Sequence, residues 1–271
     1  MKQQINPKTK IKIDQMGLMI PMEEQALKAK QLPQEFQIYD TLLHLTKIFG
    51  KPNLLSYGHN GYSRSAQFGT NQGGSITLMY NPTRPDMGLF LHMTASGKAY
   101  LENNSDKPIS WHKVIEQIYQ VYHGHASRID IAADFINHGF SVAEVYQNLR
   151  SGKWLFIDSV NRKIPLKRIG HIGAGEQVET IYVGSRKSDN FLRLYDKKKE
   201  QMKARGLYHN VAVNCNDWVR VEAEIKGRAS RVLGSTIATL TTDDIYPYLA
   251  GYVYKRWKLV INNEKKSKDK S

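Results

Sequence analysis

The chain is predicted to fold as an α+β protein of antiparallel sheets with flanking helices. Three observations carry this. Short segments with strand-like alternation and turn punctuation recur along the chain, and several longer segments carry apolar residues at helical spacing instead. No internal repeat is visible, and helices are interspersed with mostly antiparallel strands.

Residues 1–35 are polar with scattered prolines and predict no defined element. Residues 36–50 carry Ile38, Leu42, Leu45 and Phe49 at helical spacing and end at Gly50, shortly before Pro52. From 53 to 94 four short segments separated by turn residues read as an antiparallel meander. A second helix is predicted over 111–124, N-capped by Ser110 and closed by Gly124. RIDIAADF (128–135) is a strand, and 141–152 is a helix opened by a Ser141–Glu144 capping box. WLFID, ETIYVG, FLRLYD and DWVRVEAEI follow as strands. Residues 228–240 and 242–257 read as helices, the latter limited by Pro247.

Charge and cysteine usage narrow the function classes. The 271 residues hold 39 Lys+Arg against 25 Asp+Glu, a net charge of +14, which favours a polyanionic partner and nucleic acid above all. The single Cys215 excludes an intrachain disulfide and any multi-cysteine metal site, and points to a reducing interior. No signal peptide and no apolar run of membrane-spanning length is present, so a soluble, cytoplasmic protein without membrane association is expected.

Strand parity supplies the functional signal. In RIDIAADF, Ile129, Ile131, Ala133 and Phe135 share one face, opposite Arg128, Asp130, Ala132 and Asp134. In WVRVEAEI, Trp218, Arg220, Glu222 and Glu224 oppose Val219, Val221, Ala223 and Ile225. FLRLYD sets Arg193 and Tyr195 against Leu192 and Leu194. If the three strands share a sheet, four carboxylates, three arginines and one tyrosine meet on its non-core face. A solvated face laced with cross-strand ion pairs would show this pattern. So would a Mg²⁺ or Mn²⁺ site with oxygen ligands, where the metal polarises a phosphate and Tyr195 attacks it. On residues alone, both readings stand.

RIDIAADF, the run Gly184-Ser-Arg-Lys-Ser-Asp-Asn-Phe-Leu-Arg-Leu-Tyr-Asp-Lys197, and WVRVEAEIKGRAS (218–230), in that order, resemble the Rep_trans replication initiators of rolling-circle plasmids. The resemblance covers roughly residues 55–230 and is best over 126–230. It implies an HUH-endonuclease-like core in which acidic ligands replace the paired histidines. It also implies sequence-specific, metal-dependent nicking and closing of one DNA strand, through a 5′-phosphotyrosyl intermediate and a 3′-OH primer. A relaxase of a conjugative element would share that chemistry, and a water-attacking nuclease or a non-catalytic origin-binding protein are the rival classes.

By the same resemblance, Tyr195 is the nucleophile with Arg193 beside it, and Asp130, Asp134, Glu222 and Glu224 form the acidic Mg²⁺ or Mn²⁺ site, Asp130 and Glu222 being the best pair. Arg193 and the lysines of 197–199 are expected to favour the phenolate. The partner implied is plasmid double-strand origin DNA, bound by a homodimer, with a host DNA helicase as a further candidate. Residues 1–110 would form an N-terminal helix and meander, 111–262 a nicking domain ending in DNA-recognition helices, and 263–271 a basic disordered tail.

Residues 186–205 hold eight Lys+Arg and three Asp+Glu, so Arg186, Lys187, Lys197, Lys198 and Lys199 are candidates to dock the DNA backbone, with Lys255 and Arg256 in a second basic stretch. Other signals are set aside. ASGKAY (95–100) lacks the glycine spacing and the Ser/Thr of a P-loop, and GHIGAG (170–175) reads as a flexible loop. His123 and His125 are explained by capping at a helix C-terminus, and Cys215 is taken as incidental.

Overall fold

The structure, a computed structural model, describes residues 6–28, 31–70, 74–174 and 177–263. Most of the proposed basic tail, from residue 264 on, therefore lies outside the described residues.

The chain opens with β1 (Lys8–Ile20), where no element was expected. Its charged residues hid it: only Ile13, Met16, Leu18 and Ile20 form the core stripe, behind a run of exposed lysine and threonine. The predicted 36–50 helix is two helices, α1 (Phe36–Leu43) and α2 (Leu45–Phe49). They break at His44, which takes a left-handed conformation (φ 53°) while the Asp40 carboxylate accepts from the amide of Thr46 at 2.7 Å. The meander is β2 (Asn53–Leu55), β3 (Arg64–Thr70), β4 (Gly74–Tyr80) and β5 (Leu89–Met93).

Next come α3 (Ala95–Asn104) and α4 (Trp111–Glu116), which runs into a wider π turn at Gln117–Val121. Thr94 and Ser110 cap these helices, accepting from the amides of Gly97 and Lys113. β6 (His125–Ile136) and α5 (Val142–Arg150) follow as predicted, the latter capped by Ser141. β7 (Trp154–Ile157), β8 (Ile169–Ala174), β9 (Gln177–Val183) and β10 (Asn190–Asp196) complete the middle of the chain. The glycine-rich GHIGAG segment is thus mostly strand and not a flexible loop, its bulge falling at Ile172/Gly173.

Two helices carry no periodicity that marks them in the sequence, α6 (Lys197–Ala204) and α7 (His209–Asn214). α6 has no apolar stripe to find, and is opened instead by Asp196 accepting from the amide of Lys199 at 2.8 Å. β11 (Trp218–Lys226), α8 (Gly227–Ile237), α9 (Ile245–Arg256) and β12 (Lys258–Ile261) end the described chain. Pro247 lies in the first turn of α9, where a missing N–H is harmless, so it begins that helix instead of limiting it.

The chain forms two compact units, each discontinuous in sequence. The first comprises 1–12, 132–223 and 246–271; the second comprises 13–131 and 224–245. β1, β6 and β11 each contribute residues to both. In the second unit the strand order is β2-β3-β4-β5-β1-β6-β11, with Leu78 paired to Leu91 and Leu91 to Leu18 in antiparallel register. Its α8 comes close to the π turn at Gly234, where a β-carbon would stand 2.3 Å from the hydroxyl of Tyr119. In the first unit the order is β6-β11-β10-β9-β8, with Leu194 opposite Ile181, and β12 pairs with β7 separately. Ile136 and Trp218 from β6 and β11 pack with Ala212 and Cys215, so α7 lies against the Trp218 end of the sheet face that carries Arg220 and Glu222.

Candidate active site

Strand alternation on β10 buries Leu192 and Leu194 and turns Arg193 and Tyr195 toward β11. There both meet one carboxylate. Tyr195 Oη donates to Glu222 Oε2 at 3.1 Å, and Arg193 Nη2 donates to Glu222 Oε1 at 2.8 Å. The Arg193 guanidinium lies 4.5 Å from the centre of the Tyr195 ring, and Lys197 Nζ lies 5.6 Å from it. A phenol, a carboxylate within hydrogen-bond reach of it and two cations are therefore assembled by one short stretch of chain and one neighbouring strand.

Behind this group stands a buried ion pair. Arg220, 2% exposed, donates through Nε to Asp134 Oδ1 at 2.6 Å and through Nη2 to Oδ2 at 2.8 Å. Trp218 Nε1 also donates to Asp134 Oδ1, at 2.7 Å. Asp134 is thus a partner of Arg220 and Trp218 in this arrangement, not a free ligand oxygen pair. Arg220 in turn bears on Tyr195, whose phenolate its charge favours. Strand parity places Trp218 and Arg220 on the right face but assigns them no role; their alternation with Glu222 was the available signal.

In the second unit, Arg128 holds both remaining carboxylates. Its Nε and Nη2 donate to Asp130 at 2.8 and 2.6 Å, and Nη2 also reaches Glu224 Oε2 at 2.6 Å. Lys226 meets the other Glu224 oxygen at 2.7 Å. The face expected to be non-core is buried, with Asp130 at 1%, Asp134 at 4% and Glu222 at 7% exposed. The donor chemistry, all oxygen, is what Mg²⁺ or Mn²⁺ takes. The placement is not: among the described residues no three His, Cys, Asp or Glu side chains are grouped to hold an ion, and each of the four carboxylates is engaged by an arginine.

Burial also reverses the expected titration of Tyr195. The phenol is only 7% exposed, and loss of solvent pushes its pKa well up, with the Glu222 charge adding to the rise. Arg220 and Arg193 oppose that shift without cancelling it. The phenol therefore stays protonated at neutral pH.

The lysines expected to face DNA are largely committed. Lys197 is buried and pairs with Glu200. Lys198 Nζ donates to the carbonyls of Cys215 and Asn216 at 2.6 and 3.1 Å, closing the end of α7. Lys199 Nζ donates to Glu179 Oε1 at 3.1 Å, a solvent-exposed pair. Arg186 lies over the rings of Tyr182 and Phe191, and Arg256 stacks 3.5 Å from the centre of the Tyr252 ring. Lys187 and Lys255 are exposed. Cys215 is buried and its thiol is pushed up by that burial, in keeping with an incidental role. His123 takes a left-handed turn between the π turn and β6, and burial lowers the imidazolium of His125.

The fold matches the structure of a rolling circle replication initiator protein from Geobacillus stearothermophilus, at a TM-score of 0.68 and 20% identity over 97% of this chain and 90% of that one. Residues 124–271 match the Replication initiation factor family, Rep_trans, and the chain belongs to that family. A curated relative from Bacillus subtilis (strain 168), named "Putative DNA relaxase NicK", is 26% identical over 211 residues. The aligned region is 77% of this chain and 55% of the relative, so the chain spans about half the length of the protein it matches. Among the described residues, no helix is long and apolar enough to cross a membrane.

Proposed function

We propose that the protein nicks and recloses one strand of origin DNA by transesterification on Tyr195. The observation that carries this is the hydrogen bond from Tyr195 Oη to Glu222 Oε2, at 3.1 Å with Arg193 on the other oxygen of the same carboxylate. A protonated phenol held on a carboxylate is the ground state that general-base attack requires.

Glu222 takes the phenolic proton as Tyr195 Oη bonds to phosphorus. The P–O3′ bond breaks, and the proton passes to the departing 3′ oxygen, leaving a 3′-OH and a 5′-phosphotyrosyl link. Religation runs the same steps in reverse. Arg193 and Lys197, 4.5 and 5.6 Å from the centre of the Tyr195 ring, are cations close to the phenol that would balance charge developing on the non-bridging oxygens. Asp134 and Trp218 hold Arg220 fixed behind the phenol, so that its charge offsets part of the cost of forming the phenolate.

Mg²⁺ or Mn²⁺ is the cofactor that family membership suggests, and it would polarise the scissile phosphate. Because the carboxylates are held by arginines as placed, no step is assigned to it; binding an ion here requires Arg193 or Arg128 to release its partner. The substrate class is origin DNA, acted on in plasmid replication or in transfer of a mobile element, with a homodimer as the assembly and a helicase as an accessory partner.

Incubation with supercoiled plasmid and Mg²⁺, followed by peptide mapping of the covalent adduct, tests the reading. An adduct on the peptide containing Tyr195 is expected; cleavage without any adduct would assign the attack to water instead.

A further inference from the structure

Within the first unit, a cavity of about 640 Å³ lies between the 158–168 segment, the loop joining β9 to β10, and the end of α9. Lys167, Arg168, Asn190, Arg256 and Trp257 are among the residues that line it. That volume falls in the range of small-ligand sites, about 300–1,000 Å³, and suits one nucleotide with its phosphates. The proposed nicking chemistry does not use it.

We infer that this cavity receives one nucleotide of single-stranded DNA, its base on Trp257 and its flanking phosphates on Lys167 and Arg168. The inference rests on the DNA reading above and names a second contact for the same strand. The charge balance is one-sided. Among the described residues Lys167 and Arg168 have no carboxylate partner, whereas the one acidic lining residue, Asp158, is occupied by Arg162 and by the amides of Val160 and Arg162. One wall is preorganised, since Arg256 stacks on Tyr252, whose hydroxyl donates to Asn190 Oδ1 at 3.2 Å. That bond fixes the amide so that its nitrogen, which has no partner among the described residues, is a donor for a base edge.

A concave site with an aromatic wall selects single strand over duplex, because a base offers its face only when unstacked from its neighbours. Its position is also informative. Asn190 begins the strand that carries Tyr195, so the two are five residues, or about 17 Å, apart. At ~3.4 Å per stacked nucleotide this places the bound base about five nucleotides from the attacked phosphate, and fewer on a stretched strand.

Binding of a fluorescein-labelled oligothymidylate to the full chain, followed by anisotropy, tests the site. Trp257→Ala should weaken binding about five- to hundred-fold, with Trp257→Phe retaining most of it. Lys167→Ala and Arg168→Ala, at exposed positions that leave folding intact, should each flatten the salt dependence by about 0.7 in log–log slope. Parental affinity in Trp257→Ala together with an unchanged slope in both cation variants overturns the inference. Equal loss on a duplex of the same length also overturns it, in favour of a surface for duplex backbone. The outcome is separable from the nicking proposal: a Tyr195 adduct with Trp257-independent binding removes only the cavity, and Trp257-dependent binding without an adduct removes only the nicking.

Discussion

Replacing Glu222 with glutamine alters one atom of the side chain and removes the feature on which the chemistry turns. The amide would keep the shape, and its carbonyl could still accept from Tyr195 or Arg193, but it could not take the phenolic proton. At 3.1 Å the native carboxylate is within reach for general-base transfer, which contributes about 10²- to 10⁴-fold, or ~3–5.5 kcal/mol of barrier. The stability change is smaller. Arg193 loses a charged partner at 2.8 Å, yet its side chain is 31% exposed, so solvent replaces much of the interaction and about 1–2 kcal/mol is expected.

Single-turnover nicking of a supercoiled plasmid separates the two effects. At neutral pH Glu222→Gln should nick about 10²- to 10⁴-fold more slowly while remaining folded. Burial and the Glu222 charge together hold the Tyr195 phenol above its ordinary value. Removing that charge lowers the phenol again, so the residual rate of the variant should climb with pH as the phenolate population grows. A variant that nicks at the parental rate at neutral pH refutes Glu222 as the base. A slow variant whose rate is flat with pH refutes the protonated-phenol ground state.

Four further outcomes follow from the same geometry. Tyr195→Phe should abolish the covalent adduct and nicking while leaving origin affinity unchanged in an electrophoretic shift. Asp134→Asn should lower stability by about 3–5 kcal/mol in denaturant unfolding, because Arg220 is 2% exposed and would lose the carboxylate that holds it; a near-neutral change would show that the pair carries little. Lys198→Ala should lower stability by about 1–2 kcal/mol, from the two carbonyls it caps, with little change in the salt dependence of DNA binding; Lys187→Ala should do the opposite. Excess EDTA tests the ion that family membership suggests: loss of nicking with oligothymidylate affinity intact would show that an ion takes a carboxylate from Arg193 or Arg128, and full nicking would remove the divalent ion from the proposal.

Much of the site was legible because a strand's parity is a one-dimensional property. Arg193 and Tyr195 had to share a face, as did Asp130 with Asp134 and Glu222 with Glu224, whatever the strands were packed against. The family pattern around Tyr195 then singled it out from an ordinary half-buried tyrosine. Periodicity also located the meander and the capped helix after Ser141. It failed at β1 and α6, whose charged residues mask the pattern, and at the 36–50 helix, where His44 turns left-handed to break it.

Only the tertiary structure decided what lies on each face and which charge holds which. Sequence parity cannot say that α7 packs against Trp218, or that Asp130, Asp134 and Glu222 on that face are buried, because burial depends on chain segments distant from the strand. Burial then governs the chemistry: it raises the Tyr195 phenol where a row of lysines suggested the reverse, and it draws each carboxylate to an arginine where clustering suggested a cation site. The lysines after Tyr195 show the same limit. Their charge is a property of composition, but their partners, a carboxylate for Lys197 and two backbone carbonyls for Lys198, are a property of the helix that the charges themselves concealed.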